Sequence, residues 1–301
     1  MAFRWRKVGL NLSLCLNNAC PGILDMKHNF LRIIITTTGI PLLALLCFSL
    51  TSFSGETKRM KLVWADEFDH DGLPDSTHWG YDLGDGCPKI CGWGNNELQY
   101  YTARRPENAR VIGGHLIIEA HREKMGSQEY TSARLVSKKK GDWTYGRIDV
   151  RAKLPSGTGV WPAIWMLPTD WVYGGWPGSG EIDIMEHVGY MPDSIFGTVH
   201  TNLFNGMLGT QQSKGIASAT ISTEFHNYGI EWNADKIDFL FDDKVYYTFR
   251  NRYEGADAWP FDLDFHLLLN IAVGGNWGGK MGVDTAIWPQ QMVVDYVRVY
   301  Q

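Results

Sequence analysis

The sequence has little concentrated positive charge and no extended helical pattern. Its formal net charge is −5 over 301 residues, and its longest run of basic residues is Lys138-Lys139-Lys140. Proteins that bind nucleic acid present clustered lysine and arginine to the phosphates, so we expect no nucleic-acid partner. The sequence also lacks a long helical period, a repeat of fixed length and a low-complexity linker. Short strands are therefore the main structural signal.

Long apolar runs are confined to the N-terminal part of the chain. A short positively charged segment, Met26–Arg32, precedes an apolar run from Ile33 to Leu50, and a small-x-small sequence follows at Ser52–Ser54. This order of segments predicts a secretory signal peptide, and therefore a secreted or periplasmic protein. The apolar run is nearly long enough to span a bilayer, so an uncleaved membrane anchor is the alternative.

The signal pattern divides the chain into a leader and one domain. Because the pattern begins at Met26, residues 1–25 are interpreted as an extension from a wrongly assigned start, and residues 26–54 as the signal peptide. Residues 55–301 are long enough for a single all-β domain with its own core. We expect this domain to act as a monomer, without a stable membrane partner unless the leader stays uncleaved.

Cysteine is scarce after the leader. Of the five cysteines in the chain, only Cys87 and Cys91 lie after residue 55. An isolated pair in an exported domain predicts a local disulfide bond, because an oxidising compartment favours it. A metal site is the alternative, but the sequence has no second Cys/His pair at zinc spacing to complete four ligands.

After the leader, short strand-like runs alternate with Gly, Pro, Asn and Asp, which is typical of a sandwich or barrel. Arg147–Leu154 alternates polar and apolar residues, so its apolar side chains should share a core face. Asp242-Asp243-Lys244 predicts a hairpin turn. Further strands are predicted near Lys61–Phe68, His115–His121, Val160–Leu167, Glu181–Val188, Gly197–Thr201, Tyr228–Trp232, Ile237–Phe241, Val245–Arg250, His266–Val273 and Val293–Tyr300.

The segment Gly180–Glu186 places three carboxylic acids among Gly, Ile and Met. Glu181 and Asp183 share a strand face, and a β-bulge at Ile184-Met185 would bring Glu186 onto it. Neighbouring carboxylates repel, so one of them should hold a proton at neutral pH. An ionised acid beside a protonated one can hydrolyse a glycosidic bond. The alternative is a solvated strand face, but apolar residues fill the other positions.

Five segments of the chain carry a recognisable pattern in a fixed order. They are Gly92–Tyr101, Trp161–Trp165, Glu181–Glu186, Gly197–His200 and Gly274–Trp277. Together they resemble the laminarinase-like β-glucanases of glycoside hydrolase family 16. The resemblance implies an all-β fold, a two-sheet antiparallel β-jelly-roll sandwich (concanavalin-like) with a concave substrate cleft. It also implies retaining hydrolysis of internal β-1,3 bonds in laminarin-type β-glucan.

The resemblance assigns a role to each of the three acids. Glu181 resembles the nucleophile that forms a glycosyl-enzyme intermediate, Glu186 resembles the general acid and base, and Asp183 resembles the assisting residue. A retaining pair stands roughly 5–5.5 Å apart, which two acids on one strand face across a bulge can achieve. No cofactor is expected for this chemistry.

Three tryptophans are candidates for stacking on sugar rings. Trp161 and Trp165 are four residues apart and share one face of a regular strand, where they could also be core residues. The resemblance makes both of them platforms that line the cleft. Trp176, in a Gly- and Pro-rich loop five residues before Glu181, is assigned to the rim.

Four polar residues complete the predicted substrate site. Asn95, Arg134 and His200 resemble family positions that touch sugar hydroxyls or the acids, and Asn276 belongs to the last of the matching segments. Taken alone, the first three would be a turn asparagine, a surface arginine and a core histidine.

The resemblance also implies a structural calcium ion away from the acids. Asp295 in the last predicted strand, Glu67 and Gly113 occupy positions like those of the family's calcium ligands, the last two through backbone carbonyls. One carboxylate with carbonyls and waters is chemically adequate for calcium but should bind it weakly. Otherwise Asp295 is an acid on a strand surface.

Other activities remain open on the same fold. The enzyme could cut mixed-linkage β-1,3-1,4-glucan or a galactan such as agarose, or transfer the glycosyl group to another sugar. The bulged acid motif disfavours a strict mixed-linkage enzyme. A sugar-binding lectin would be expected to have lost the acids, and all three are present.

Overall fold

Residues 60–301 are described by the computed structural model and form an almost purely β structure, with a single 3-10 turn at Cys91–Gly94. The predicted signal peptide, membrane anchor and upstream extension lie outside the described residues. No helix in the described range is both long and apolar enough to span a membrane.

Two large antiparallel sheets contain most of the strands. Sheet 1 consists of β1 (Leu62–Asp66), β4 (Ala109–Ile112), β5 (His115–Ala120), β9 (Gly146–Lys153), β14 (His226–Trp232), β15 (Lys236–Phe241), β16 (Lys244–Arg250) and β18 (Gln290–Tyr300). Its spatial order is β16-β15-β14-β9-β18-β5-β4, and β1 also pairs with β18.

Sheet 2 carries the three predicted acids and four of the seven predicted substrate-binding residues. It consists of β2 (Gly80–Asp82), β7 (Arg134–Val136), β8 (Asp142–Trp143), β10 (Val160–Pro168), β11 (Glu181–His187), β12 (Ser194–His200), β13 (Gln212–Ala217) and β17 (Phe265–Val273). Its order is β13-β12-β11-β10-β17-β7-β2, with β8 paired to β17. The short strands β3 (Gln99–Tyr101) and β6 (Tyr130–Ser132) form a parallel pair.

The core lies between the two sheets and follows the predicted alternation. In β9 and the residue after it, Ile148, Val150, Ala152 and Leu154 are at most 2% exposed, which confirms the predicted core face. They belong to one apolar cluster with inward side chains of β10, β11, β14 and β17. Burial of this apolar surface is the main stabilising contribution to the sandwich.

All eleven predicted strands have a counterpart in the structure, although their ends differ by a few residues. The hairpin turn is also confirmed: Asp242 and Asp243 join β15 to β16 with φ values of 47° and 62°. Positive φ at both loop residues matches the twist of the flanking strands, and aspartate tolerates it better than most residues.

Candidate active site

Strand β11 contains the predicted bulge. Asp183 pairs with Thr198 and Glu186 with Phe196, so Ile184 and Met185 together face only the residue between them on β12. Both side chains are buried in the core, at 1% and 0% exposure. The extra residue therefore returns Glu186 to the outer face that Glu181 and Asp183 occupy.

The acids and one histidine form a compact cluster on this face. His200 lies opposite Glu181 on β12, and its Nε2 is 3.8 Å from Glu181 Oε1 and 3.4 Å from Asp183 Oδ2. Asp183 is 3% exposed, whereas the Glu181 side chain is more open at 15%. The predicted placement of His200 beside the acids is thus what the structure has.

Burial and mutual repulsion separate the protonation states of the acids. Burial raises the pKa of Glu186 well above its ordinary value, and the charges of Asp183 and Glu181 raise it further, against the opposing effect of His200. Burial also raises the pKa of Asp183, and Glu181 adds to that rise. Two of the three groups, Asp183 and Glu186, therefore favour the protonated form.

Two of the predicted tryptophans donate hydrogen bonds to the acids. Trp161 Nε1 donates to Glu186 Oε1 at 3.1 Å, and Trp176 Nε1 donates to Glu181 Oε2 at 2.7 Å. Trp176 is 39% exposed, so much of its ring surface stays open to solvent. Both indoles can therefore orient an acid and still offer apolar surface to a sugar.

Trp165 lies in a stacked arrangement beside the acids. It pairs across the sheet with Asp183, and the Arg134 guanidinium lies 4.5 Å from its ring centroid and 4.7 Å from that of Trp93. The indole N–H of Trp165 donates to Asn270 Oδ1 at 2.7 Å. Arg134 is thus held between two aromatic rings, which fixes the orientation of Trp165.

Trp93 and Asn270 were not predicted as site residues. Trp93 adopts a positive φ of 53° inside the 3-10 turn, a conformation that its residue type does not predict. Asn270 did have a signal in the sequence, because it and His266 are the two polar residues within the apolar strand β17. A buried amide in such a strand needs hydrogen-bond partners, and here they are Trp165 and the hydroxyl of Tyr101.

The remaining two polar residues meet where two loops touch. The backbone N–H of Asn276 donates to the carbonyl of Asn95 at 2.7 Å, and Asn96 Nδ2 donates to Asn276 Oδ1 at 2.8 Å. A β-carbon on Gly275 would lie 3.2 Å from the ring of Trp161, so these loops adjoin the acid cluster. The disulfide bond between Cys87 and Cys91 closes the turn that leads into Asn95.

The three predicted calcium ligands lie apart from the acids, and the ligand groups of two of them, the Asp295 carboxylate and the Gly113 carbonyl, are already engaged. His115 spans two of them: its Nδ1 is 2.9 Å from the Gly113 carbonyl and its Nε2 is 3.6 Å from Asp295 Oδ1. Arg151 contacts the other oxygen of Asp295, and Arg298 forms two hydrogen bonds with the Glu67 carboxylate.

This arrangement does not fit a calcium site as it stands, because an ion between Gly113 and Asp295 would have to displace His115. Within residues 60–301, the only cluster of three metal-ligating side chains is Glu181, Asp183 and His200. Calcium at Asp295 stays a prediction.

Comparison with known proteins places the chain in a family. Residues 98–298 match the glycosyl hydrolases family 16. A β-glucanase from Rhodothermus marinus is 56% identical over 255 residues, which cover 82% of this chain and 87% of that protein. The laminarinase structure from the same organism, also 56% identical, has a TM-score of 0.78 and covers 81% of this chain and 98% of that one.

A second similar structure is SCLam, a non-specific endo-β-1,3(4)-glucanase. It is 47% identical, has a TM-score of 0.77, and the match covers 81% of this chain and 92% of that one. The two packed sheets are the jelly roll of these laminarinases. With the family match extending over more than half of its length, the chain belongs to glycoside hydrolase family 16.

Proposed function

We propose that the protein is a retaining endo-β-1,3-glucanase in which Glu181 is the nucleophile and Glu186 the general acid and base. One observation carries the proposal: the bulge in β11 puts Glu186, whose pKa is raised, on the same face as Glu181. Retaining glycosidases need this combination of one ionised and one protonated acid.

In the first step, the Glu181 carboxylate attacks the anomeric carbon of the sugar at the bond to be cut. The bond from that carbon to the glycosidic oxygen breaks, and Glu186 gives its proton to the leaving oxygen. The product is a glycosyl ester on Glu181. A protonated Asp183 beside Glu181 supports this step by donating a hydrogen bond within the pair.

In the second step, Glu186 acts as a base. Esterification removes the negative charge of Glu181, which had raised the proton affinity of Glu186. The ionised Glu186 then takes a proton from water, the water oxygen attacks the anomeric carbon, and the ester bond breaks to regenerate Glu181. A second sugar in place of water would give transglycosylation.

The substrate assignment is supported by the named relatives, a β-glucanase, a laminarinase and a non-specific β-1,3(4)-glucanase. β-1,3-linked chains curve into an open helix, and Trp161, Trp165 and Trp176 offer rings along the outer face of sheet 2. We expect strong activity on laminarin, weaker activity on mixed-linkage β-glucan and none on cellulose.

The deciding experiment measures reducing-end release on laminarin, mixed-linkage glucan, agarose and cellulose, with the anomer of the first product assigned by NMR. The proposal requires laminarin to be the best substrate and the first product to be a β-anomer. Faster degradation of agarose would reject the glucanase assignment, and an α-anomer would reject the retaining mechanism.

The protein is also proposed to act outside the cytoplasm, with the segment 26–54 removed on export. The signal pattern and the Cys87–Cys91 disulfide, which needs an oxidising compartment, support this location. N-terminal sequencing of the protein purified from the medium or periplasm tests it. Recovery in the membrane fraction with an intact N-terminus would support the anchor instead.

A further inference from the structure

Glu97 carries a buried carboxyl group at the edge of the active site that the proposed reaction does not use. It is 9% exposed, and its backbone forms a β-bridge with Gly274. A β-carbon on Gly275 would lie 3.3 Å from Glu97 Cγ and 3.2 Å from the ring of Trp161. Glu97 therefore lies between the Asn95 turn and the loop that supports the Trp161 ring.

Two side-chain amides donate hydrogen bonds to this carboxyl group. Gln99 Nε2 donates to Glu97 Oε2 at 2.6 Å, and Asn95 Nδ2 donates to Glu97 Oε1 at 3.3 Å. The orientation of Gln99 is fixed independently, because its Oε1 accepts the backbone N–H of Val273 at 2.7 Å. Turning the Gln99 amide over would break both of its bonds.

Both oxygens of the Glu97 carboxyl group accept a hydrogen bond from an amide NH₂, so the group determines which way the Asn95 amide points. With its NH₂ group directed at Glu97, Asn95 must direct its oxygen elsewhere. Burial raises the pKa of Glu97, and the hydrogen bond from Gln99 and the charge of Arg134 offset part of that rise.

We propose that Glu97 is a positioning residue that orients the Asn95 amide so that Asn95 Oδ1 accepts a hydrogen bond from a hydroxyl group of the bound glucan. This inference rests on the proposed glucanase function and deepens it, since Asn95 is one of the predicted sugar contacts. Glu97 acts through Asn95 and does not itself touch the sugar.

The test is a double-mutant cycle with Glu97→Gln and Asn95→Ala, measured as KM and kcat on a laminarin oligosaccharide. Glu97→Gln keeps the shape, but its amide can also donate, so the orientation of Asn95 is no longer fixed. We expect KM to rise about tenfold with kcat within about twofold, the size of one lost hydrogen bond. In the Asn95→Ala background, Glu97→Gln should change KM by less than about twofold.

A matched control is Glu119→Gln in β5 of the other sheet. Glu119 is 5% exposed and accepts hydrogen bonds from Arg110 and Gln291, so it is an equally buried and partnered carboxylate. Its substitution should leave KM unchanged. A rise in KM equal to that of Glu97→Gln would show a general effect of losing a buried charge and overturn the proposal.

Asn95→Asp keeps the test decisive if Glu97→Gln does not fold. It retains an oxygen for the sugar but removes the amide N–H donor to Glu97. A raised KM supports the proposal. An unchanged KM for this variant overturns the proposal. So does a double mutant whose rise in KM equals the product of the rises in the two single mutants. Both outcomes leave the proposed function standing if the parent enzyme cleaves laminarin. A parent enzyme without laminarin activity overturns the proposed function itself.

Discussion

Trp176 donates its indole N–H to Glu181 Oε2 at 2.7 Å, so the predicted nucleophile is held by a side chain from the loop that precedes its strand. Trp161 makes the equivalent bond to Glu186 Oε1 at 3.1 Å. A hydrogen bond donated to a carboxylate stabilises its charged form. For Glu181 the bond also fixes the orientation of the carboxyl group. For Glu186 it moderates the effect of burial, so the proton can still leave.

The roles of the two glutamates predict opposite products of chemical rescue. Changing either Glu181 or Glu186 to Ala should lower kcat at least about a thousandfold on laminarin, without loss of the fold. Azide added to Glu186→Ala should restore cleavage and yield a β-glycosyl azide, because the Glu181 ester still forms. Azide added to Glu181→Ala should yield the α-azide by direct attack. NMR assigns the configuration of each azide. An α-azide from Glu186→Ala and a β-azide from Glu181→Ala would show that Glu186 is the nucleophile and Glu181 the general acid.

The Trp161 bond to Glu186 predicts a shift in the pH profile. Trp161→Phe keeps an aromatic ring but removes the bond that lowers the pKa of Glu186, so that pKa should rise further. Glu186 must be protonated to act as the acid, and activity is lost as pH rises through its pKa. The alkaline limb of kcat/KM should therefore move to higher pH.

The control for that shift is Trp165→Phe. The Trp165 indole donates to Asn270 and not to an acid, so its loss should leave the alkaline limb in place. Equal shifts of the alkaline limb in both variants would mean that loss of any indole from the cleft causes the shift, and that the Trp161 hydrogen bond does not.

Asp183 should cost stability at neutral pH. Its pKa is raised in the folded protein, so the folded state binds a proton that the unfolded chain releases above its ordinary pKa. The resulting cost is absent at low pH and grows as pH rises toward the folded-state pKa. Asp183→Asn should raise Tm by about 2–4 °C at pH 8, or ~1 kcal/mol, and by less at pH 4. Thermal melts at both values check this, and a larger gain at pH 4 would contradict it.

Loss of the Trp165 ring should weaken catalysis on long substrates most. Trp165→Ala removes a ring that contacts Arg134 and is predicted to stack on sugar, and should cost roughly 1–3 kcal/mol in kcat/KM. The loss should be greatest for long laminarin oligosaccharides and small for the shortest cleaved one. An equal loss at every length would indicate a role at the acids rather than in binding.

Calcium should bind weakly, since His115 lies between two of its predicted ligands. We expect Tm to rise only at millimolar calcium, with the gain following RT ln(1 + [L]/Kd). His115→Ala should make the same gain appear at lower calcium, and Asp295→Asn should abolish it. Melting curves that are identical in EDTA and in calcium, for both the parent and His115→Ala, would remove the calcium site.

The sequence predicts the strands that have a clear alternation and the bulge in β11. In β9 and β11 the residue types indicate which side chains face the core, and the residues that are apolar in the sequence are buried in the structure. Strands β2, β3, β6, β7 and β8 have only two or three residues and carry no period. They exist because a neighbouring strand pairs with them, and that neighbour is distant in the sequence.

The sequence likewise predicts only part of the candidate active site. The three acids and the tryptophans of β10 are identified by residue type and spacing, but the partners that orient them are not. Arg134 stacks between Trp93 and Trp165, residues that are far apart in the chain. Glu97 and Asn270 act through hydrogen bonds across loops, so only the folded structure brings their partners together.

The bulge in β11 lets two core residues stand between acids that share one face. Ile184 and Met185 both fill the core where strict alternation would supply one side chain, and the bulge compensates for the extra residue so that Glu186 still faces outward. Deleting either residue would leave a cavity between the sheets, but the regular alternation that remained would keep all three acids on the outer face. The second core residue therefore serves the packing of the sandwich, and its loss should lower the stability of the fold while the acids keep their common face.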